Sequence, residues 1–219
     1  MKGHSDSALT LKNVYELFVG KPRRQAIAKA LDTKKGKLVR GCFTSLAGSA
    51  QSLVAAAVAE VYGKSPVVLV ADSGDAAGYF YHDITRVLGE EAVAMLPSAY
   101  KRDIRYGQID APSVILRTDA LARWNARDGK LKIVITTPEA ISELVVQPGE
   151  LNESTLHIDK SKPLDLTQTE KWLRENGFVH VDYVYDPGQC SCLVSIIDIF
   201  SYSSEIPYRI DLFGDEIES

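Results

Sequence analysis

Between residues 66 and 136 the apolar positions come in short continuous blocks rather than in alternation. Pro66-Val67-Val68-Leu69-Val70-Ala71, the stretch 93–96 (VAML) and the stretch 131–136 (LKIVIT) are the clearest. A strand that is apolar at every position has both faces buried, which is the signature of a parallel sheet covered by helices. The segments between these blocks have helix grammar. Residues 49–62 are alanine-rich and close on Gly63; residues 76–88 follow Asp72 and Ser73, either of which can accept from free N–H groups at a helix start. Residues 112–125 and 138–145 read as two more helices, each opened by a proline. Upstream, residues 38–44 read as a first strand of the series. Residues 11–18 and 23–31 read as two short helices around Gly20-Lys21-Pro22. Strands alternating with helices of this length predict an α/β domain.

The pattern changes near Asn152. Residues 155–158 alternate, 166–175 form an amphipathic helix ended by Asn176-Gly177, and three strand-like runs follow at 179–185, 191–200 and 208–213. Pro187-Gly188 and residues 201–207 separate them, and consecutive strands joined by turn chemistry suggest antiparallel pairing. The reading is an N-terminal helical segment (1–36), an α/β domain (37–152) and a smaller α+β domain (153–219) with antiparallel strands. The boundary falls near residues 148–156, at Pro148-Gly149 and the polar run through Glu153. The strand pattern is still running at Ser219, so the sequence reads as a piece that stops within a domain.

Composition narrows this picture. The chain has 219 residues, 45% of them hydrophobic, enough to build a core. Its net charge of −4 does not mark a nucleic-acid-binding chain. No apolar run approaches the roughly 20 residues of a membrane span, and the opening MKGHSDS lacks the apolar centre of a signal peptide, so a cytoplasmic setting is expected. The odd count of thiols, Cys42, Cys190 and Cys192, suits a reducing compartment. On a strand, Cys190 and Cys192 share one face. With four histidines and no second cysteine pair, no metal site is expected, and Cys190 and Cys192 read as core or edge residues of a strand. His82 reads as a helix-surface residue.

The candidate chemistry lies in residues 45–52, SLAGSAQS, between an expected strand and an expected helix. A working phosphate loop, G-x-x-x-x-G-K-[ST], needs glycines so that backbone N–H groups can close round phosphate, a lysine for charge and a hydroxyl for magnesium. Here Ser45 stands for the first glycine, Ala50 for the last, Gln51 for the lysine and Ser52 for the hydroxyl. Only Gly48 and Ser52 keep a useful identity. Gln51 has no charge, and the Cβ of Ala50 obstructs close backbone approach. The strand of LKIVITTPEA carries Thr136-Thr137-Pro138-Glu139 where a magnesium-binding aspartate would be expected. By these residues the loop is degenerate, and no cofactor is expected.

In order along the chain, FTSLAGSAQS, LPSAYKRDIRYGQ, VILRTDAL, IVITTPEAI, LRENGFVHVDYVYDPGQ and IIDIFSYSSEIPYRIDLFGDEIES resemble the N-terminal part of bacterial transcription-repair coupling factors. The ordered set covers most of residues 37–219. DPGQ followed by IDIFS and PYRIDLFGDE is its most specific part. The resemblance implies a module similar to the excision-repair protein UvrB: a RecA/helicase-like motor domain without a functional ATP site, then an inserted domain that recruits the damage-recognition ATPase UvrA. It implies that the fragment is not an enzyme. RNA polymerase binding and ATP-driven movement on double-stranded DNA would lie in other domains of the full-length proteins. Arg209 and Phe213 match positions of UvrA contact in this family. Leu193 stands where the family has an arginine, and Val194 where it has a glycine, which implies weaker binding. From the residues alone, Arg209 can equally be a solvated strand residue opposite the face of Tyr208, Ile210 and Leu212.

Two other readings remain at this stage. A UvrB-like ATP-dependent helicase fragment lacks its loop lysine, and residues 98–110 hold only Tyr100 and Tyr106 where a tyrosine-rich hairpin would be needed. Lys101, Arg102 and Arg105 there could touch phosphate. A small-molecule α/β enzyme would use the carboxyl ends of the parallel strands, where Asp72, Thr136 and Thr137 fall. No His, Cys or Lys accompanies them as acid, base or nucleophile.

Overall fold

A computed structural model describes residues 10–31, 40–63, 65–100, 110–147, 149, 154–204 and 206–219. Lys101, Arg102, Arg105 and Tyr106 lie outside the described residues, as do Leu38, Val39, Pro148, Asn152 and Glu153. The chain divides into two compact units: one within 1–97 and 126–142, the other within 98–125 and 143–219.

The first unit contains a three-stranded parallel sheet. Its strands are β1 (Val67–Val70), β2 (Val93–Leu96) and β3 (Ile133–Thr136), in the order β1-β3-β2. All four positions of β3 are buried, as expected for a strand covered on both faces, whereas β1, expected to be buried on both faces, exposes Val68 and Val70. Helices α1 (Leu11–Leu31), α2 (Ala50–Tyr62) and α3 (Gly74–Leu88) supply the core with Tyr15, Val19, Leu53, Ala56, Ala57, Ala77 and Ile84, packed with Val93, Ile133 and Ile135. The alanines of α2 let it lie close to its neighbours. α1 is bent at Gly20, whose φ of 48° is non-helical, so the two short helices expected around Gly20-Lys21-Pro22 are its two arms. Ser73 caps α3, accepting from the Ala76 N–H at 3.2 Å. His82 is exposed, as read.

The strand expected at 38–44 does not form over its described part. Residues 40–44 are irregular and exposed, Phe43 included. A short apolar run holds as a strand only when a sheet edge pairs with it, and no ladder reaches these residues. The helix expected at 138–145 is also shorter, α5 (Pro138–Ser142). The apolar residues after it, Leu144, Val145 and Val146, are exposed and give a further turn nothing to pack against.

The second unit holds α4 (Ala111–Ala126) apart from its last residue, α6 (Leu166–Glu175) and a five-stranded sheet in the order β4-β5-β6-β7-β8. In chain order these strands are Val179–His180, Gln189–Cys192, Ile196–Ile199, Tyr208–Phe213 and Glu216–Ile217. β5 to β8 pair antiparallel, as the turn chemistry predicts, but β4 runs parallel to β5. Three expectations change. Residues 155–158 form no strand, and the run 179–185 keeps only its first two residues as strand. The run 191–200 is a hairpin of β5 and β6 closed by the Leu193 N–H donating to the Ile196 carbonyl at 2.8 Å.

Several motif residues have structural tasks in this unit. Asp165 caps α6 through the Gln168 N–H at 3.0 Å. Gly177, at φ 83°, ends it: the Phe178 N–H donates to the Leu173 carbonyl and the Gly177 N–H to that of Arg174, a pairing that satisfies the last carbonyls of a helix. Leu173 then packs with Cys190, Ile197, Ile199, Ile210 and Leu212 in the core. In DPGQ, the Gln189 side-chain carbonyl accepts from the N–H groups of Tyr185 and Asp186, and the Gly188 N–H donates to the Phe200 carbonyl at 2.7 Å. Away from the sheet, the buried Arg117 of α4 pairs with Glu143 at 3.2 Å, and Glu143 also accepts from the Ala99 N–H.

Gly188 combines a φ of 85° with the Tyr202 hydroxyl and ring lying where a Cβ would be. Gly188→Ala is therefore expected to cost about 2 kcal/mol of stability, backbone strain and a displaced ring together. Chemical denaturation checks it. In a Tyr202→Ala background the penalty should shrink to the backbone part, and an unchanged penalty there would contradict the steric account.

Candidate functional site

Within the loop at 45–52, two amides close the turn that opens α2. Ser45 and Gly48 take positive φ, 59° and 53°, and the turn is closed by Ala50 N–H to the Ala47 carbonyl at 3.2 Å and Gln51 N–H to the Gly48 carbonyl at 3.4 Å. These are amides that a phosphate loop would aim at its ligand. Ser49 caps α2 without a side-chain hydrogen bond. Gln51 is exposed, whereas Ser52 is buried and donates to Asp83 Oδ2 on α3 at 3.0 Å. The hydroxyl that would reach a metal ties two helices together instead.

The carboxyl ends of the parallel strands are similarly occupied. The Thr136 hydroxyl donates to the Leu96 carbonyl at 2.8 Å, and Thr137 Oγ1 accepts from the Ala140 N–H at the start of α5. Both threonines are buried; Asp72 is exposed. Among the described residues no group of three or more His, Cys, Asp or Glu is placed to hold a metal ion.

The second unit presents a different kind of surface. Strand period two sends Ile210 and Leu212 of β7 into the core and Arg209, Asp211 and Phe213 to the opposite face. The β6–β7 register sets Asp198 opposite Arg209 and Ile196 opposite Asp211, and the β5–β6 register sets Ser191 opposite Asp198. Leu193 closes the hairpin opposite Ile196, in the same row as Asp211. Leu193, Arg209 and Phe213 therefore share one face of the sheet. Phe213 is 80% exposed, Leu193 59% and Val194, in the hairpin loop, 96%. Phe213 is presented at the edge of a two-residue hairpin whose first loop residue, Gly214, has φ 64°, the conformation that such a loop demands there.

Arg209 does not stand alone on this face. Its Nε donates to Asp198 Oδ1 at 2.8 Å and its Nη2 to Oδ2 at 2.7 Å. That two-pronged bond holds the Asp198 carboxyl below the usual range, and with the nearby charges of Asp198 and Asp211 it raises Arg209 further above its already high value. Asp198 was not singled out by the sequence reading. Its signal was available: in IDIF it is the polar position of an apolar alternation, as Arg209 is in YRIDLF.

Cys190 and Cys192 share one face of β5, as expected, and that face is the core side, with Cys190 buried and Cys192 half-buried. Burial raises the Cys190 thiol above its ordinary value and pushes Cys192 up to about 11, each helped by the charge of Glu170. Cys42 is exposed.

Residues 156–219 match the family model described as the UvrB interaction domain. Over 178 residues, 81% of the chain, it is 29% identical to the transcription-repair-coupling factor of Bacillus subtilis. It is 24% identical to that of Escherichia coli over 174 residues, 80% of the chain, and 29% identical to that of Mycobacterium bovis over 175 residues, 77% of the chain. The resemblance carried by the ordered motifs is thus borne out. The chain spans 15%, 15% and 14% of the length of these relatives. No helix among the described residues is long and apolar enough to cross a membrane.

The thiol environments predict a simple labelling pattern. A neutral alkylating reagent at pH 7.5 should modify one thiol, Cys42, quickly in the native protein and all three after unfolding, because the buried Cys190 and half-buried Cys192, with raised pKa values, hold little thiolate. Peptide mass mapping reads the sites. Fast native labelling of Cys190 or Cys192 would contradict the placement of β5 in the core.

Proposed function

We propose that this chain is a non-catalytic recruitment module of a transcription-repair coupling factor, and that the outer face of its second unit binds the excision-repair protein UvrA. The observation that carries the reading is a coincidence of place. The segment similar to a UvrB interaction domain is also the one that exposes an arginine and a phenylalanine on a rigid strand. Arginine and aromatic residues on an ordered frame are frequent anchors of protein interfaces. In this reading the boundaries are 1–36, 37–152 and 153–219, and the middle part is a RecA/helicase-like domain whose phosphate loop is a relic. The self-bonded turn, the uncharged Gln51 and the Ser52–Asp83 bond all support a loop that handles no nucleotide. RNA polymerase and duplex DNA would be partners of other domains in a full-length protein.

Leu193 sets the expected strength. It offers apolar area but no charged hydrogen bond, so binding should be weaker than with an arginine by an amount on the order of 1.5–3 kcal/mol.

The test is binding of purified UvrA to the parent chain and its variants, each checked for folding by circular dichroism. Arg209→Ala and Phe213→Ala should each weaken binding by about 2 kcal/mol. Leu193→Arg, together with Val194→Gly, should strengthen it. Equal binding by all four proteins would overturn this interface.

A further inference from the structure

We infer that Asp198 is a positioning residue for recognition of the partner: it fixes the Arg209 guanidinium so that its second donor edge is presented to a carboxylate on UvrA. The inference rests on the recruitment reading above and adds a residue and a chemistry to it.

A guanidinium has five N–H groups in a planar fork. The bond to Asp198 uses Nε and one hydrogen of Nη2, both on one edge, at 2.8 and 2.7 Å. Both hydrogens of Nη1 and the second of Nη2 are left by that bond. One hydrogen of Nη1 and the second of Nη2 lie along the next edge of the same plane, which is the geometry that takes a second carboxylate in two-pronged fashion, while the other Nη1 hydrogen points back toward Cδ. The Arg209 side chain is 64% exposed, so this edge is open to a partner, while Asp198 is only 20% exposed.

The holder is itself rigid. Asp198 sits on β6, between β5 and β7, and its chain neighbours Ile197 and Ile199 are both in the core. On β5, the residue opposite is Ser191, buried and short, and its hydroxyl donates to the Asp182 carbonyl at 3.4 Å rather than to Asp198. A free arginine loses much rotamer freedom on binding; one already clamped loses less, and the saving appears as slower dissociation.

Charge argues for orientation rather than attraction. Asp198 and Asp211 both lie close enough to Arg209 to raise its pKa, so the site offers little net positive potential to draw in a distant acidic partner. Complementary charge acts chiefly on association, whereas a buried, hydrogen-bonded contact acts chiefly on dissociation. As an exposed ion pair within the fold, the bond to Asp198 adds little stability of its own.

The experiment is a kinetic double-mutant cycle with immobilised UvrA and four proteins: parent, Asp198→Ala, Arg209→Ala and the double variant. Asp198→Ala should speed dissociation about tenfold, and in the Arg209→Ala background it should change nothing beyond about twofold. A role in the sheet alone would lower binding equally in both backgrounds. That result, or an Asp198→Ala protein that binds like the parent, overturns the inference. If Asp198→Ala does not fold, Asp198→Asn in the parent and in Arg209→Lys replaces it. Lysine cannot be held in a fork, so a loss of the same factor in both overturns the inference. A parent chain that does not bind UvrA at all sinks the recruitment reading, and the positioning role with it.

Discussion

Across β6 and β7, Ile197 faces Ile210, and one row along the two strands Asp198 faces Arg209. The first pair is buried in the core and the second lies on the outer face, so a single antiparallel register decides what the second unit hides and what it offers. A slip of one residue would put Arg209 and Asp211 among the isoleucines and send Ile210 and Leu212 to solvent. The burial of Ile197, Ile210 and Leu212 against Leu173 of α6 excludes that slip. Everything presented on the outer face, from Leu193 to Phe213, is therefore positioned by packing on the other side.

The two units differ in how they use polar groups. In the first, the hydroxyls and amides where nucleotide chemistry would be sought are turned to internal use: Ser52 to Asp83, Thr136 to the Leu96 carbonyl, and the amides of residues 50 and 51 to their own turn. In the second, the polar groups of DPGQ hold a loop, and Gly177 and Asp165 close the ends of one helix. Arg209 spends two of its donors on Asp198 and keeps an exposed guanidinium on the outer face of the sheet.

What could be read in the sequence followed the strength of local signals. β1, β2 and β3 were visible as continuous apolar blocks, and α3 by its cap and spacing. The strand expected at 38–44 was not realised over residues 40–44, because an apolar run carries no information about which sheet edge is available to it. The break at 193–195 was hidden for a different reason. Leu-Val-Ser makes this hairpin loop without any residue at positive φ, so no Gly, Asn or Asp marked it. The parallel pairing of β4 was likewise invisible, since it depends on where the chain re-enters the sheet. Arg209, Phe213 and Leu193 were legible as candidates, but the Asp198 partner required the register, which only the turn positions supply.

Hydrogen–deuterium exchange of this chain with and without UvrA tests the central claim most directly, because it locates the partner without altering any residue. The account predicts slowed exchange on addition of UvrA in the segments around Leu193–Val194 and from Arg209 through Glu216, with residues 45–62 unchanged. Protection confined to residues 45–62 or to the ends of β1 to β3, with none in β5 to β8, would contradict it.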